Sequence, residues 1–159
     1  DTMKKIIIYI AFICLIFAMT SCVVDETKKA SNEKSIEIIR CFDEKDAEGL
    51  KALFCEEVRI SHNLDEEIQL AFDLYEGTSE TYKFNYAGGT AGGWDNGECV
   101  DEHITPRVEN LKTSSGKVYR IPYHEYLIYK KNPRCVGITY IRIFDESTGE
   151  MVQIGEHVY

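Results

Sequence analysis

The chain has no Cys-x-x-Cys pair and no His–Cys spacing of the kind that builds a structural zinc site, so metal-ribbon readings fall away and no metal is expected. Its one glycine-rich stretch, Ala87-Gly88-Gly89-Thr90-Ala91-Gly92-Gly93-Trp94, lacks the Gly-Lys-Ser/Thr ending of a phosphate cradle and leads into no helix. Basic residues are in deficit: 18 Lys and Arg stand against 27 Asp and Glu, a formal net charge of −9. Nucleic-acid phosphates demand Lys and Arg, so nucleic acid is excluded as a partner, and the domain is poorly suited to lying flat on an anionic membrane. No apolar run reaches the roughly 20 residues a comfortable membrane span needs. There is no internal repeat and no recognisable catalytic or cofactor motif, so no cofactor is expected.

What is present begins at the amino end. Met3-Lys4-Lys5 is a short basic start, residues 6–18 are an almost unbroken apolar run, and Met19-Thr20-Ser21-Cys22 closes it. A positive n-region, a short apolar h-region and small residues before a cleavage point make a secretory signal, with Met3 as the start and Asp1-Thr2 as upstream sequence. A cysteine directly after those small residues resembles the lipobox of bacterial lipoproteins, with Met19 where Leu is usual. The resemblance implies that Cys22 is diacylated and becomes the amino terminus, with two chains in the lipid bilayer, enough for stable anchoring. The expected organisation is a signal peptide over 1–21, a lipidated Cys22 and flexible tether over 22–32, and one α+β domain over 33–159. The expected location is the outer face of the cytoplasmic membrane, with plain secretion as the alternative.

Four cysteines remain besides Cys14 and Cys22: Cys41, Cys55, Cys99 and Cys135. Export permits disulfides, and four cysteines allow three full pairings between which the sequence does not choose. Cys41 falls on an apolar helical face and reads as a small buried hydrophobe. Ile36, Ile38, Ile39, Cys41 and Phe42 form a stripe at helical spacing. Asp46 is placed to cap a second helix carrying Ala47, Leu50, Leu53 and Phe54, and Asn63 with Glu66 makes a capping-box arrangement for a third. Ile68, Ala71, Phe72 and Tyr75 form the buried stripe of that helix, and Gly77 ends it.

Beyond Gly77 the period changes to that of strands, over 79–87, 100–112, 117–129, 135–144 and 151–158, with residues 88–97 as a mobile loop. Pro106 is tolerated only at an edge or bulge. Helices first and strands after predict an α+β fold, with amino-terminal helices packed on a curved antiparallel sheet. In the central strand, Tyr119, Ile121, Tyr123, Leu127 and Tyr129 alternate with Arg120, Pro122, His124 and Lys130, and only Glu125 interrupts the apolar side.

The stretch Ile38-Ile39-Arg40-Cys41-Phe42, followed by Asp46-Ala47-Glu48-Gly49-Leu50-Lys51-Ala52-Leu53-Phe54, resembles the opening of nuclear-transport-factor-2-like (SnoaL-like, cystatin-like) domains. Asp65-Glu66-Glu67-Ile68 through Tyr75-Glu76-Gly77, with Lys117-Val118-Tyr119-Arg120-Ile121 and Val136-Gly137-Ile138, resembles an uncharacterised family of Gram-positive lipoproteins. The resemblance covers roughly 33–159 and implies a cone-shaped sheet around helices, with a pocket for a small molecule, a catalytic carboxylate or a dimer surface.

Glu125 is the candidate for catalysis. Enzymes of the resembled class place an acidic, His or Tyr side chain deep in the cone, and burial beside Tyr123 and Tyr129 would suit Glu125 to general-base work. The competing expectation is that strand twist or a bulge turns it toward solvent or a basic neighbour such as Arg142. Tyr123, Tyr129 and Trp94 are the candidate ligand-binding residues, Trp94 as a lid or a cap on the core. His62, His103, His124 and His157 read as scattered, and the alternation of a strand prevents Asp101, Glu102 and His103 from ligating together. Three functional classes follow: a non-enzymatic domain binding a small apolar or aromatic ligand or a protein; a small ketosteroid-isomerase-like enzyme using Glu125; and a module that homodimerises through its sheet face.

Overall fold

The computed structural model describes residues 26–86 and 91–158. The chain divides into two compact units, residues 1–33 and 34–159. In the first, the described residues 26–33 are helical, with Lys29 and Glu33 one turn apart at 4.0 Å. The segment 26–32, expected as an aperiodic tether, is thus helical, in keeping with its Glu, Lys and Ala content and its lack of Gly and Pro. The signal segment 1–21 and Cys22 lie outside the described residues. Among the described residues no helix is long and apolar enough to cross a membrane.

The second unit opens with α1 (residues 34–44), which buries Ile38, Ile39, Cys41 and Phe42 but leaves Ile36 exposed. Lys45 adopts a φ of +54° just past its end, and its ammonium donates to the carbonyls of Phe72 and Tyr75 at 2.5 and 2.7 Å. One lysine thereby satisfies carbonyls at the end of another helix, where a cation is favoured. Asp46 caps α2 (Ala47–Ala52) by accepting from Gly49 N at 2.9 Å, as its position predicts. A further short helix, α3 (Glu56–Ser61), was not expected: Val58 is its one buried residue, too little for a periodic signal. In α4 (Leu64–Leu74), Leu64, Ile68, Ala71, Phe72 and Leu74 are buried. The capping box does not form there. Asn63 donates its side-chain amide to Glu66 Oε2 at 2.9 Å and makes no side-chain bond to the helix backbone.

Among the described residues seven strands follow: β1 (Ser79–Asn85), β2 (Ala91–Asp95), β3 (Glu98–Ile104), β4 (Arg107–Thr113), β5 (Val118–Tyr129), β6 (Gly137–Asp145) and β7 (Met151–Gly155). All pairings between them are antiparallel. Helices first and an antiparallel sheet after make the domain α+β, as expected. The glycine-rich stretch departs from expectation. Residues 91–95 form β2, which pairs with β3, while 87–90 lie outside the described residues.

β5 organises the sheet. β6 runs along one of its edges, and β4 and β3 share the other, meeting at Thr105-Pro106. The break falls where Pro106 cannot donate, and its carbonyl accepts instead from Tyr123 N at 3.1 Å. Tyr119, Ile121, Tyr123, Ile138, Ile141, Ile143 and Ile154 meet the helix stripes in the main core. Tyr119 locks the layers together: its hydroxyl donates to Leu74 O and accepts from Glu76 N, each at 2.9 Å.

Two irregularities in the pairings of β5, one in β5 itself and one in β6, change which side chains share a face. Pairing with β3 passes from Glu102–Ile128 to His103–Tyr126, leaving Leu127 as an extra residue. Pairing with β6 passes from His124–Tyr140 to Glu125–Ile138, leaving Thr139 extra. A bulge resets the alternation beyond it. Tyr129, expected on the core side, instead stacks on Tyr126 at 4.5 Å in a separate cluster with Cys135, and Leu127 is only half-buried. The four cysteines 41, 55, 99 and 135 are free, and burial pushes the Cys41 thiol up to about 11.

Candidate functional site

Glu125 is buried at 5 % exposure and faces the helix layer, where its carboxylate accepts from the ammonium of Lys34 on α1. Ser35 Oγ and Tyr123 OH lie 3.2 Å apart in the same layer. The basic neighbour of Glu125 is thus Lys34 rather than Arg142, and the regular alternation of β5 puts Glu125 on the same face as Tyr119, Ile121 and Tyr123.

Tyr123 is wholly buried in the main core, Tyr129 belongs to the second cluster, and Trp94 stands on β2 with 73 % of its surface exposed. The structure does not bring these three together, and Trp94 does not cap the core.

The outer face of the sheet carries a constellation that the linear sequence disguises. His103, His124 and His157, read there as scattered, converge. The His124 ring lies 5.2 Å from His103 and 4.4 Å from His157, with Tyr126 at 4.8 Å and Tyr140 stacked at 5.6 Å. His62 stays apart, 3.3 Å from Glu67. Strand register explains the first steps: His124 faces Tyr140 across β5–β6, and His103 faces Tyr126 across β3–β5. The extra residue Thr139 supplies the hydroxyl that meets His124 Nδ1 at 2.8 Å. His124 Nε2 is buried and has no hydrogen-bond partner among the described residues. Burial, reinforced by His157 and His103, pushes the His124 imidazole down to about 4, so it is neutral at pH 7. Burial lowers His157 as well. Asp101 Oδ1 lies 3.3 Å from His103 Nδ1 on the same face, while Glu102 alternates away. Among the described residues no three His, Cys, Asp or Glu side chains are arranged to hold a metal.

Beside this cluster runs an open groove of about 290 Å³. Arg107 on β4, Arg120 on β5 and Arg142 on β6 line it, together with Thr105, Tyr140 and Phe144. Arg107 sits opposite Pro122, and the β5–β6 register puts Arg142 at the same level on the other side. Arg120 lies two residues along β5, directly opposite Phe144. The guanidinium carbons of Arg120 and Arg142 stand 4.2 and 4.5 Å from the ring centroids of Phe144 and Tyr140, a cation–π spacing that holds the long side chains against the sheet.

Two of the three arginines are steadied through Nε. Arg120 Nε donates to Glu146 at 2.7 Å, and Arg142 Nε donates to Gln153 Oε1 at 2.7 Å. Arg107 Nε is buried without a hydrogen bond, with Glu109 Oε1 at 3.7 Å. The terminal Nη groups of all three make no hydrogen bond among the described residues. Three forks of donors therefore converge on a shallow cavity floored by aromatic rings, in a chain whose net charge is −9.

These arginines were missed in the sequence. The signal available was strand phase: Arg120 and Pro122 alternate outward on one strand, and Tyr140, Arg142 and Phe144 on the next. Arg107 had no such signal, because a bulge between Val108 and Leu111, with Asn110 at a φ of +51°, shifts the β4 register.

Comparison with the curated proteins finds no match to this chain. The family described as "Domain of unknown function (DUF5104)" matches residues 37–146, from α1 through the end of β6 and so across all three arginines and two of the clustered histidines; the chain belongs to that family.

Proposed function

We propose that this chain is a lipid-anchored, extracytoplasmic binding domain, non-catalytic, that holds a small ligand in the arginine-lined groove on the outer face of its sheet. The observation that carries the binding reading is the groove itself. Its volume is near the lower end of small-ligand pockets, and convergent polar donors over aromatic walls are the usual composition of such sites. The layering of helices on one sheet face supports the nuclear-transport-factor-2-like reading of the fold. The proposed ligand site differs from the one that resemblance implies, where Glu125 in the helix–sheet layer is engaged by Lys34. The anchoring part rests on the sequence 3–22: basic start, short apolar run, small residues and Cys22.

Two measurements test this. Intact mass of the protein recovered from membranes should show cleavage before Cys22 with a diacylglyceryl addition; an unmodified Cys22 would remove the anchor and leave a secreted domain. A thermal-shift screen should find compounds that raise the Tm of the full chain but not of its Arg142→Gln variant. If every stabilising compound acts equally on both proteins, the groove is not the ligand site.

A further inference from the structure

We infer that the ligand of this groove is a small organic oxyanion, with a phosphate or carboxylate head seated among Arg107, Arg120 and Arg142 and a flat apolar body lying on the ring of Tyr140 or of Phe144; this rests on the groove being the binding site. Guanidinium forks match the oxygen spacing of carboxylate and phosphate and bind them in pairs of hydrogen bonds. Strands lie about 4.8 Å apart, so Arg107 and Arg142, which flank β5 at the level of Pro122, have backbones about 10 Å apart, and side chains of this length span that gap to meet over the middle strand. Arg120 completes a triangle from the next outward position on β5. Glu109 and Glu146 stand beside two of the three arginines, leaving one net positive charge and three unengaged forks. That balance selects one head group with several acceptor oxygens over a long polyanion. The chain's acidity points the same way: an extended anionic polymer would be repelled by the surrounding surface, whereas a compact anion meets only the groove.

The ring floor sets the other half of the ligand. Tyr140 and Phe144 are outward positions on β6 with Arg142 between them, about 13 Å apart along the strand, so a single planar group stacks on one of the two rings. The cation–π contacts already in place mean that the guanidinium planes need not be ordered on binding, which lowers the cost of complex formation.

Calorimetric titration of the full chain with phenyl phosphate, benzoate and benzamide separates head-group charge from ring stacking, because the three probes share one ring. Phenyl phosphate should bind most tightly, benzoate less and benzamide least. Arg107→Gln and Arg142→Gln should each weaken phenyl phosphate about tenfold. Arg142→Lys should recover only part of the loss, since an ammonium keeps the charge but not the fork. The Tm of each unliganded variant identifies any loss caused by misfolding, and Arg107→Gln, which removes no hydrogen bond seen among the described residues, then provides the deciding comparison. Competition with inorganic phosphate shows whether the head group alone occupies the site. If benzamide binds as tightly as phenyl phosphate and is lost in the arginine variants, the groove is a ligand site but the oxyanion assignment is wrong. If phenyl phosphate binds all variants equally, it sits elsewhere, and both the assignment and the groove reading fail.

Discussion

The Arg142 guanidinium carbon lies 4.5 Å from the centre of the Tyr140 ring, two residues away on the same strand, and Tyr140 also stacks on His124 across the neighbouring strand, with ring planes 16° apart. One tyrosine thus joins an exposed groove of arginines to a buried cluster of histidines. The groove has its donors free and its rings fixed. The cluster has its central imidazole, His124, neutral, with that ring's Nε2 unpaired among the described residues.

The cluster makes stability sensitive to mild acid. The His124 pKa falls from 6.5 in the unfolded chain to about 4 in the fold, so between these values the unfolded state binds more protons. Stability from this site is complete above pH 6.5 and is lost as pH falls toward 4, an effect of about 3 kcal/mol. Urea unfolding between pH 7.5 and 4 measures it. His124→Phe should flatten that part of the profile, and an unchanged slope would place the titrating group elsewhere.

Lys34 and Glu125 are 91 residues apart and form a mostly buried ion pair between α1 and β5. Removing one partner strands the other. Lys34→Met should cost about 3–5 kcal/mol, while the double change Lys34→Met, Glu125→Leu should recover most of it. Denaturation midpoints of the two variants report the difference.

Gly155 ends β7 at a φ of +70°, and a Cβ there would fall 2.4 Å from the carbonyl oxygen of Thr139. Thr139 is the bulge residue that binds His124. Gly155→Ala should therefore destabilise the protein by about 1–3 kcal/mol and disturb the histidine cluster as well. The ring resonances of His124 and His157, followed by NMR, should move together in that variant.

Much of the layering was legible in the sequence. The stripe of Ile38, Ile39 and Phe42 and the Asp46 cap are local signals, each carried by a few neighbouring residues, and each appears in the structure; Gly77 takes a left-handed φ, but the helix before it already ends at Leu74, capped by an extended Tyr75. What was illegible depends on register. Leu127 and Thr139 are ordinary strand residues in sequence, yet as bulges Leu127 moves Tyr129 out of the main core and Thr139 brings its hydroxyl to His124. His103, His124 and His157 come from β3, β5 and the segment after β7, so only the pairing of those strands reveals them as one group. The arginine groove likewise exists only once β4, β5 and β6 are aligned. Short α3 escaped because six residues with one buried apolar side chain carry no period.

The most direct test of the account follows the Nε–Hε signals of the arginine side chains by ¹⁵N NMR while phenyl phosphate is added to the full chain. The signals of Arg107, Arg120 and Arg142 should shift together and saturate at one affinity, while that of Arg40, held by Glu37, Glu44 and Asp46 on the helix layer, stays in place. Signals of the three groove arginines that remain still while those elsewhere move would contradict the account.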